Sequence, residues 1–202
     1  MAQAASVATS YGNAKEASKV SHLDRSLLDR LVSWTGAVMA FALIALGAAA
    51  IFGGTFALGN VRDRLVPEKI SFPAISAMTP QEKVAVGNFA GHSVDTGPEA
   101  EAFSRYIGGH LKEVNNGATY SETSAAARAE GIPAKQAADL GAKADLLFKG
   151  ETLRSILLNA YGWWTVGQIT LVAGIGMVLA GLALAVLTAL GFRHARKVAA
   201  SQ

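Results

Sequence analysis

The chain contains no cysteine. That excludes a disulfide-stapled outer domain and a cysteine-linked lipid anchor. Charge is also scarce. Only 16% of the 202 residues are Asp, Glu, Lys or Arg, against about a quarter in a typical soluble domain. The net charge of +3, from 18 basic and 15 acidic residues, is too small for a polyanion-binding surface, so no nucleic-acid partner is expected. Prolines number five, and all of them fall within residues 62–154. With 51% hydrophobic residues and a mean hydropathy of +0.30, a disordered chain is excluded as well.

The missing charges are missing in blocks. Residues 31–61 hold none, a run of 31, and residues 155–192 hold none, a run of 38. A bilayer core of roughly 30 Å needs about 20 apolar residues at 1.5 Å each. Both runs exceed that. They predict two membrane spans, near residues 32–58 and 164–191. Each must be helical, because lipid offers the backbone no hydrogen-bond partners. A lipid bilayer is therefore the first expected partner.

The flanks agree with this placement. Trp34 stands at one end of the first span, and Tyr161, Trp163 and Trp164 cluster at one end of the second. Such rings favour the membrane–water interface. Arg193, His194, Arg196 and Lys197 follow the second span with no acid among them. A basic flank marks the cytoplasmic side, so both termini are expected inside and the middle segment outside. The leading segment of about 30 residues is too long for the n-region of a signal peptide, so the first span is expected to remain uncleaved.

Residues 1–18 are small and polar and read as disordered. From Ser21 onward, Leu23, Leu27, Leu28, Leu31 and Trp34 recur at three- and four-residue spacing between Asp24, Arg25, Asp29 and Arg30. That is an amphipathic helix, with Ser21 and Asp24 as a possible capping pair. Its expected place is the inner headgroup layer. Docking to a partner is the alternative.

Neither span contains Asp, Glu, Lys, Arg or His. Ion paths and proton relays use such groups at depth, so a transporter or pump acting alone is not expected. The spans do carry small residues in register. Ala45, Ala49, Gly53 and Ala57 recur every four residues. Gly167, Gly174, Gly181 and Thr188 recur every seven, and Gly181, Ala185 and Ala189 every four. Close backbone contact through small residues drives helix association in lipid. The expected partner of each stripe is the other span, a second copy of the chain, or another membrane protein.

Residues 62–154 form a nearly neutral insert with 11 basic and 12 acidic positions. Residues 61–77 read as an irregular lead-in broken by Pro67 and Pro73. Thr79, Pro80 and Glu82 start a short helix that ends near Gly87. Residues 91–97 form a turn-rich loop. Pro98 opens a clearer helix with Phe103, Tyr106, Ile107, Leu111 and Val114 on one face, stopped by Asn115-Asn116-Gly117. An Ala-rich helix is expected over about 124–130, ending at Gly131. Pro133 starts another, and residues 152–161 contain no breaker before the second span. Strand signals are few. The apolar faces are few too, so a small core must gain stability by packing on the helix that leads into the second span, on the membrane or on a partner.

Candidate chemistry is sparse. His92 and His110 have Asp95 and Glu113 near them in sequence. His110 and Glu113 are one helical turn apart, a spacing able to hold a metal. Solvated surface residues explain the pairs equally well, and there is no HExxH and no further histidine in the insert. No nucleophile elbow surrounds Ser93, Ser104 or Ser121, and no glycine-rich phosphate loop follows a strand. The sequence thus points to no catalytic residue, no cofactor and no assigned metal, with His92, Asp95, His110 and Glu113 as the only candidate ligands.

Four stretches carry a family resemblance: Ala90-Gly91-His92-Ser93-Val94-Asp95; Tyr106-Ile107 with His110; Gly117-Ala118-Thr119-Tyr120-Ser121-Glu122; and Thr152-Leu153-Arg154 leading into the second span. Through them, about half of the chain resembles small two-span actinobacterial membrane proteins of unknown function. Automatic labels often call these aromatic ring-opening dioxygenases. The resemblance implies two spans with an outer insert and implies no catalytic residues. The label would require a metal site with several ligands.

The expected fold is mainly α, two transmembrane helices flanking a small helical extracytoplasmic insert. Residues 1–30 form the cytoplasmic tail and interfacial helix, 31–60 the first span, and 61–155 the insert. Residues 156–192 form the second span with its outer extension, and 193–202 the basic tail. The expected function is that of a non-enzymatic accessory or scaffold subunit of a larger complex in a bacterial cell membrane. Two alternatives accompany it: an outer ligand-binding or sensor module that signals through a partner, and a membrane-tethered metal enzyme.

Overall fold

The computed structural model describes the backbone of residues 2–200, and side chains for residues 30–194, 196 and 197. The tail expected to be disordered, residues 1–18, is helical from Ala2 on, no proline interrupting the chain before Pro67, so the helix does not start at Ser21; the side chains of the expected Ser21–Asp24 capping pair lie outside the described set. The chain is mainly helical. Helix α1 runs Ala2–Leu65, α2 Pro80–Val86, α3 Gly97–Val114, α4 Tyr120–Ala127 and α5 Ala134–Ala200. Among the described residues there is no strand, only one isolated bridge between Ser71 and Ser93. Two helices, α1 from Arg30 on and α5, are long and apolar enough to cross a membrane. Their most apolar 18-residue stretches have mean hydropathies of 2.2 and 2.4.

Two compact units divide the chain. One holds the residues up to Ile51 and from Val172 on; the other is Phe52–Leu171.

In the first unit α1 and α5 run antiparallel with their smallest residues between them. Ser33, Ala40 and Gly47 of α1 are buried, as are Gly174 and Gly181 of α5, with Thr188 half-buried. A methyl group on Gly47 would lie 2.8 Å from the Gly174 carbonyl oxygen and 2.9 Å from the Val178 nitrogen. One on Gly174 would lie 2.8 Å from the Gly47 carbonyl oxygen, and one on Gly181 would lie 3.0 Å from that of Ala40. The backbones themselves are in contact, which only glycine permits. Contact advances seven residues along α1 from Ala40 to Gly47 and falls seven along α5 from Gly181 to Gly174. That is the period of two helices wound about each other.

Large apolar side chains lie on the outside of this unit. Phe41 is 74% exposed, Leu46 62%, Val172 66% and Leu187 65%. Small residues inside and large ones outside invert the arrangement of a water-soluble helix pair.

The second unit has an ordinary core. Val61 and Leu65 of α1, Phe72 of the lead-in, Met78 just before α2, Val86 of α2, Val94 of the loop before α3, Ala100 and Ala102 of α3, and Leu157 of α5 are buried together. Phe72 sits between three rings, with centroid distances of 5.5 Å to Phe89, 5.1 Å to Phe103 and 6.4 Å to Tyr106. Backbone bonds hold the lead-in to the loop before α3. The Phe72 N–H donates to the His92 carbonyl at 2.9 Å, and the Val94 N–H to the Ile70 carbonyl at 2.9 Å. Gly54 of α1 meets α5 in this unit, its would-be methyl 2.8 Å from the Gly167 carbonyl oxygen.

Each short helix has a local cause. Thr79 and Glu82 cap α2 reciprocally, and Thr119 and Glu122 do the same for α4. Before α3, the Glu99 carboxylate accepts from the N–H groups of Asp95 and Thr96, each at 2.9 Å. Asn116 and Gly117, with φ of 50° and 83°, end α3 in the left-handed region.

The structure corrects several expectations. The first stretch of the lead-in, residues 61–65, is helical, because no breaker precedes Pro67 and Val61 and Leu65 enter the core. The Ala-rich helix is Tyr120–Ala127 instead of about 124–130 with its end at Gly131, because the Thr119–Glu122 capping box sets its start and Arg128 is its C-cap. The helix opened by Pro133 and the second span are one helix of 67 residues.

The α1 stripe is also displaced. Ala45, Ala49 and Gly53 are exposed, and Gly53 has no neighbour within 4 Å of its would-be methyl. Ala57 is half-buried, its Cβ 3.2 Å from the position a methyl on Gly167 would take. A four-residue repeat on a helix of 3.6 residues per turn drifts about 40° per step, so it leaves a partner's face within a few steps. A seven-residue repeat drifts only about 20°. The residues that stay in contact are Ser33, Ala40, Gly47, Gly54 and Val61, all buried and all seven apart.

Candidate functional site

The four candidate ligands do not converge. His110 of α3 places its Nε2 2.9 Å from Glu82 Oε1 of α2, across the helix pair, and not toward Glu113, which is exposed. The Tyr106 ring stands edge-on to His110 at 4.5 Å. His92 sits in the loop before α3 with its Nδ1 3.8 Å from Glu99 Oε1, and the half-buried Asp95 gives its backbone N–H to the same carboxylate. Among the described residues no group of three or more His, Cys, Asp or Glu side chains is placed to hold a metal ion.

A common principle underlies the two pairs. Glu82 and Glu99 are each the third residue of a helix, where a carboxylate reaches back to free N–H groups. Each then has a second oxygen facing a histidine. The Thr79 backbone N–H, 2.6 Å from Glu82 Oε2, is the main reason the Glu82 carboxyl titrates below its usual range, with the Thr79 hydroxyl and His110 adding to it against some desolvation. Glu122 is lowered in the same way by the Thr119 N–H and hydroxyl. Burial, and the nearby Glu82 charge, raise the Tyr106 phenol. These are helix-end and helix-pairing contacts, and they tie α2 to α3 and the loop at Gly91 to the start of α3.

A third polar centre joins α3 to α5. Arg154 Nε donates to the Ser104 carbonyl at 3.1 Å, and its Nη1 to both oxygens of Glu151 at 2.8 and 2.9 Å. A methyl on Gly108 would lie 2.9 Å from the guanidinium carbon, so glycine there makes room for Arg154. The Gly108-Gly109 pair thus splits by role: Gly109 has open space beside it.

The interface aromatics divide similarly. Trp34 is 66% exposed and meets the Phe192 ring edge at 6.3 Å; Trp163 is 59% and Tyr161 39% exposed. Trp164 instead packs on the core of the second unit, with Gly97 pressed against its ring. Arg193, Arg196 and Lys197 are exposed. Of the expected helix-packing residues, Gly167, Gly174 and Gly181 are buried and Ala185 half-buried.

Sequence reasoning left unnoticed the doubled role of Glu82 and Glu99, and the Arg154 centre. Thr96-x-x-Glu99 and Thr119-x-x-Glu122 were available as capping-box signals. Nothing in the sequence pairs Arg154 with Ser104, which lies 50 positions away. Compared with protein-family models, with curated proteins and with solved structures, the chain matches none of them.

Proposed function

We propose that the protein is a non-enzymatic, two-span integral protein of a bacterial cell membrane, acting as an accessory or scaffold subunit of a larger membrane complex. The observation that carries this reading is the inverted packing of the first unit. Phe41, Leu46, Val172 and Leu187 face outward while Ala40, Gly47, Gly174 and Gly181 fill the contact between the helices. In water each outward Leu or Phe would forgo about 1.5–3 kcal/mol of burial, and a surface of many such residues would aggregate. In lipid the same surface costs nothing, and small residues at the seam supply the van der Waals contact that holds two helices together.

In this reading both termini lie in the cytoplasm beside Arg193, Arg196 and Lys197, and the second unit's short helices lie outside. The accessory role rests on what the seam leaves over: Ala45, Ala49 and Gly53 face away from α5, where a helix of another membrane protein or of a second copy can approach.

A cysteine-free chain allows a clean test. Ser10→Cys and Ser121→Cys variants are treated with a membrane-impermeant maleimide on intact cells. Labelling of Ser121→Cys alone, with Ser10→Cys reacting only after lysis, is the expected result. The reverse pattern contradicts the topology. Gentle extraction followed by native sizing tests the accessory role; a bare monomer with nothing co-purifying contradicts it.

A further inference from the structure

The second unit has a cleft whose polar groups the Arg154 contacts above use only in part. It lies between the C-terminal half of α3, the turn that leads into α4, and α5. Its volume is about 320 Å³, about that of ten waters and at the small end of the range for small-molecule sites. Leu111, Leu147 and the Tyr120 ring give it apolar walls, and Lys112, Arg154 and Glu151 are its charged residues.

These charges do not cancel. Both Glu151 oxygens are engaged by Arg154 Nη1. The Arg154 Nε is engaged by the Ser104 carbonyl, while its Nη2 has no hydrogen-bond partner among the described residues. Lys112 has no ion pair among the described residues. The nearby Glu122 is committed to the α4 cap. One ammonium and one free guanidinium edge therefore remain against apolar walls, which complements one negative charge on a ligand with an apolar body. A second depression of about 320 Å³ shares Tyr120 and Glu151 with the first and adds the Phe148 and Ile156 side chains. Neither Lys112 nor Arg154 lines it.

We propose that this cleft binds a small amphipathic monocarboxylate, its carboxylate at Lys112 and Arg154 and its apolar body along Tyr120. The proposal goes beyond the accessory role and does not depend on where a bilayer lies. The carboxylate accepts from Arg154 Nη2 and the Lys112 ammonium, and no covalent step is involved.

The test uses the full chain in nanodiscs of zwitterionic lipid. The probe is 4-phenylbutyrate, with 4-phenylbutanol as the uncharged control and inorganic phosphate as the body-less anion. Binding is followed by calorimetry and by ligand-observed NMR. Saturable binding of the carboxylate, at least about tenfold tighter than either control, supports the site. So does an approximately tenfold loss in Lys112→Gln, which keeps the size of the side chain, and a larger loss in Ala118→Phe, which fills the cleft. Unchanged thermal melting of Lys112→Gln shows that the loss is local. No saturable binding up to about 10 mM, equal binding of the alcohol or of phosphate, or unchanged binding in Lys112→Gln would overturn the proposal.

Discussion

Gly47 and Gly53 lie on the same helix, six residues apart, in surroundings the structure makes opposite. A methyl on Gly47 meets the Gly174 carbonyl oxygen at 2.8 Å and the Val178 nitrogen at 2.9 Å; one on Gly53 meets nothing within 4 Å. A Gly47→Leu change must therefore push two backbones apart, and backbone atoms cannot rotate away as a side-chain tip can. Overpacking of this kind costs about 1–3 kcal/mol. A Gly53→Leu change adds the same side chain and the same gain in helix propensity, up to about 1 kcal/mol, without a clash. The difference between the variants isolates the contact. Thermal unfolding in one detergent is the assay. With about 2–4 °C per kcal/mol for a chain of this size, Gly47→Leu is expected to melt about 2–12 °C below Gly53→Leu, and Gly53→Leu at or above the parent. Equal losses in the two variants, or the larger loss in Gly53→Leu, would refute the close-contact seam.

Gly97→Ala places a methyl against the Trp164 ring; it is expected to lower the stability of the second unit by about 1–3 kcal/mol and to shift tryptophan fluorescence, whereas Gly109→Ala, which faces open space inside α3, leaves the fluorescence unchanged and raises stability by up to about 1 kcal/mol. Glu82→Gln removes a charge that the fold favours. Because the folded carboxyl titrates below its reference of 4.5, its contribution is full above that pH and is lost as the pH falls through the lowered value. The parent should therefore lose more stability than Glu82→Gln between pH 6 and strongly acidic conditions, and parallel melting curves would contradict this. Thr119→Ala removes the hydroxyl that caps α4 and is expected to cost about 0.5–2 kcal/mol, read by thermal melting.

Local signals carried most of the helix pattern. Thr79-Pro80-Glu82 started α2, Pro98 marked α3, and Asn115-Asn116-Gly117 stopped it, because caps and φ constraints act within a few residues. The charge-free runs marked the two long helices for the same kind of reason: composition alone decides whether a segment tolerates lipid. The glycines of α5 were legible because a seven-residue repeat holds one face. In α1 the regular four-residue run of Ala45, Ala49 and Gly53 hid the true seam at Ala40, Gly47 and Gly54. Choosing between them needs the partner helix. His110 with Glu82, Arg154 with Ser104 and Gly97 with Trp164 were hidden for a different reason. Each joins segments far apart in sequence, and no local spacing encodes such a meeting.

Nitroxide scanning of residues 38–58, one position at a time, in reconstituted bilayers tests the membrane reading most directly. Oxygen, which dissolves in lipid, should reach Phe41, Leu46 and Phe52 and be shielded at Ala40, Gly47 and Gly54, while a water-soluble nickel chelate is excluded along the central turns. A chelate that reaches those central positions, or oxygen access that ignores this alternation, would contradict the account.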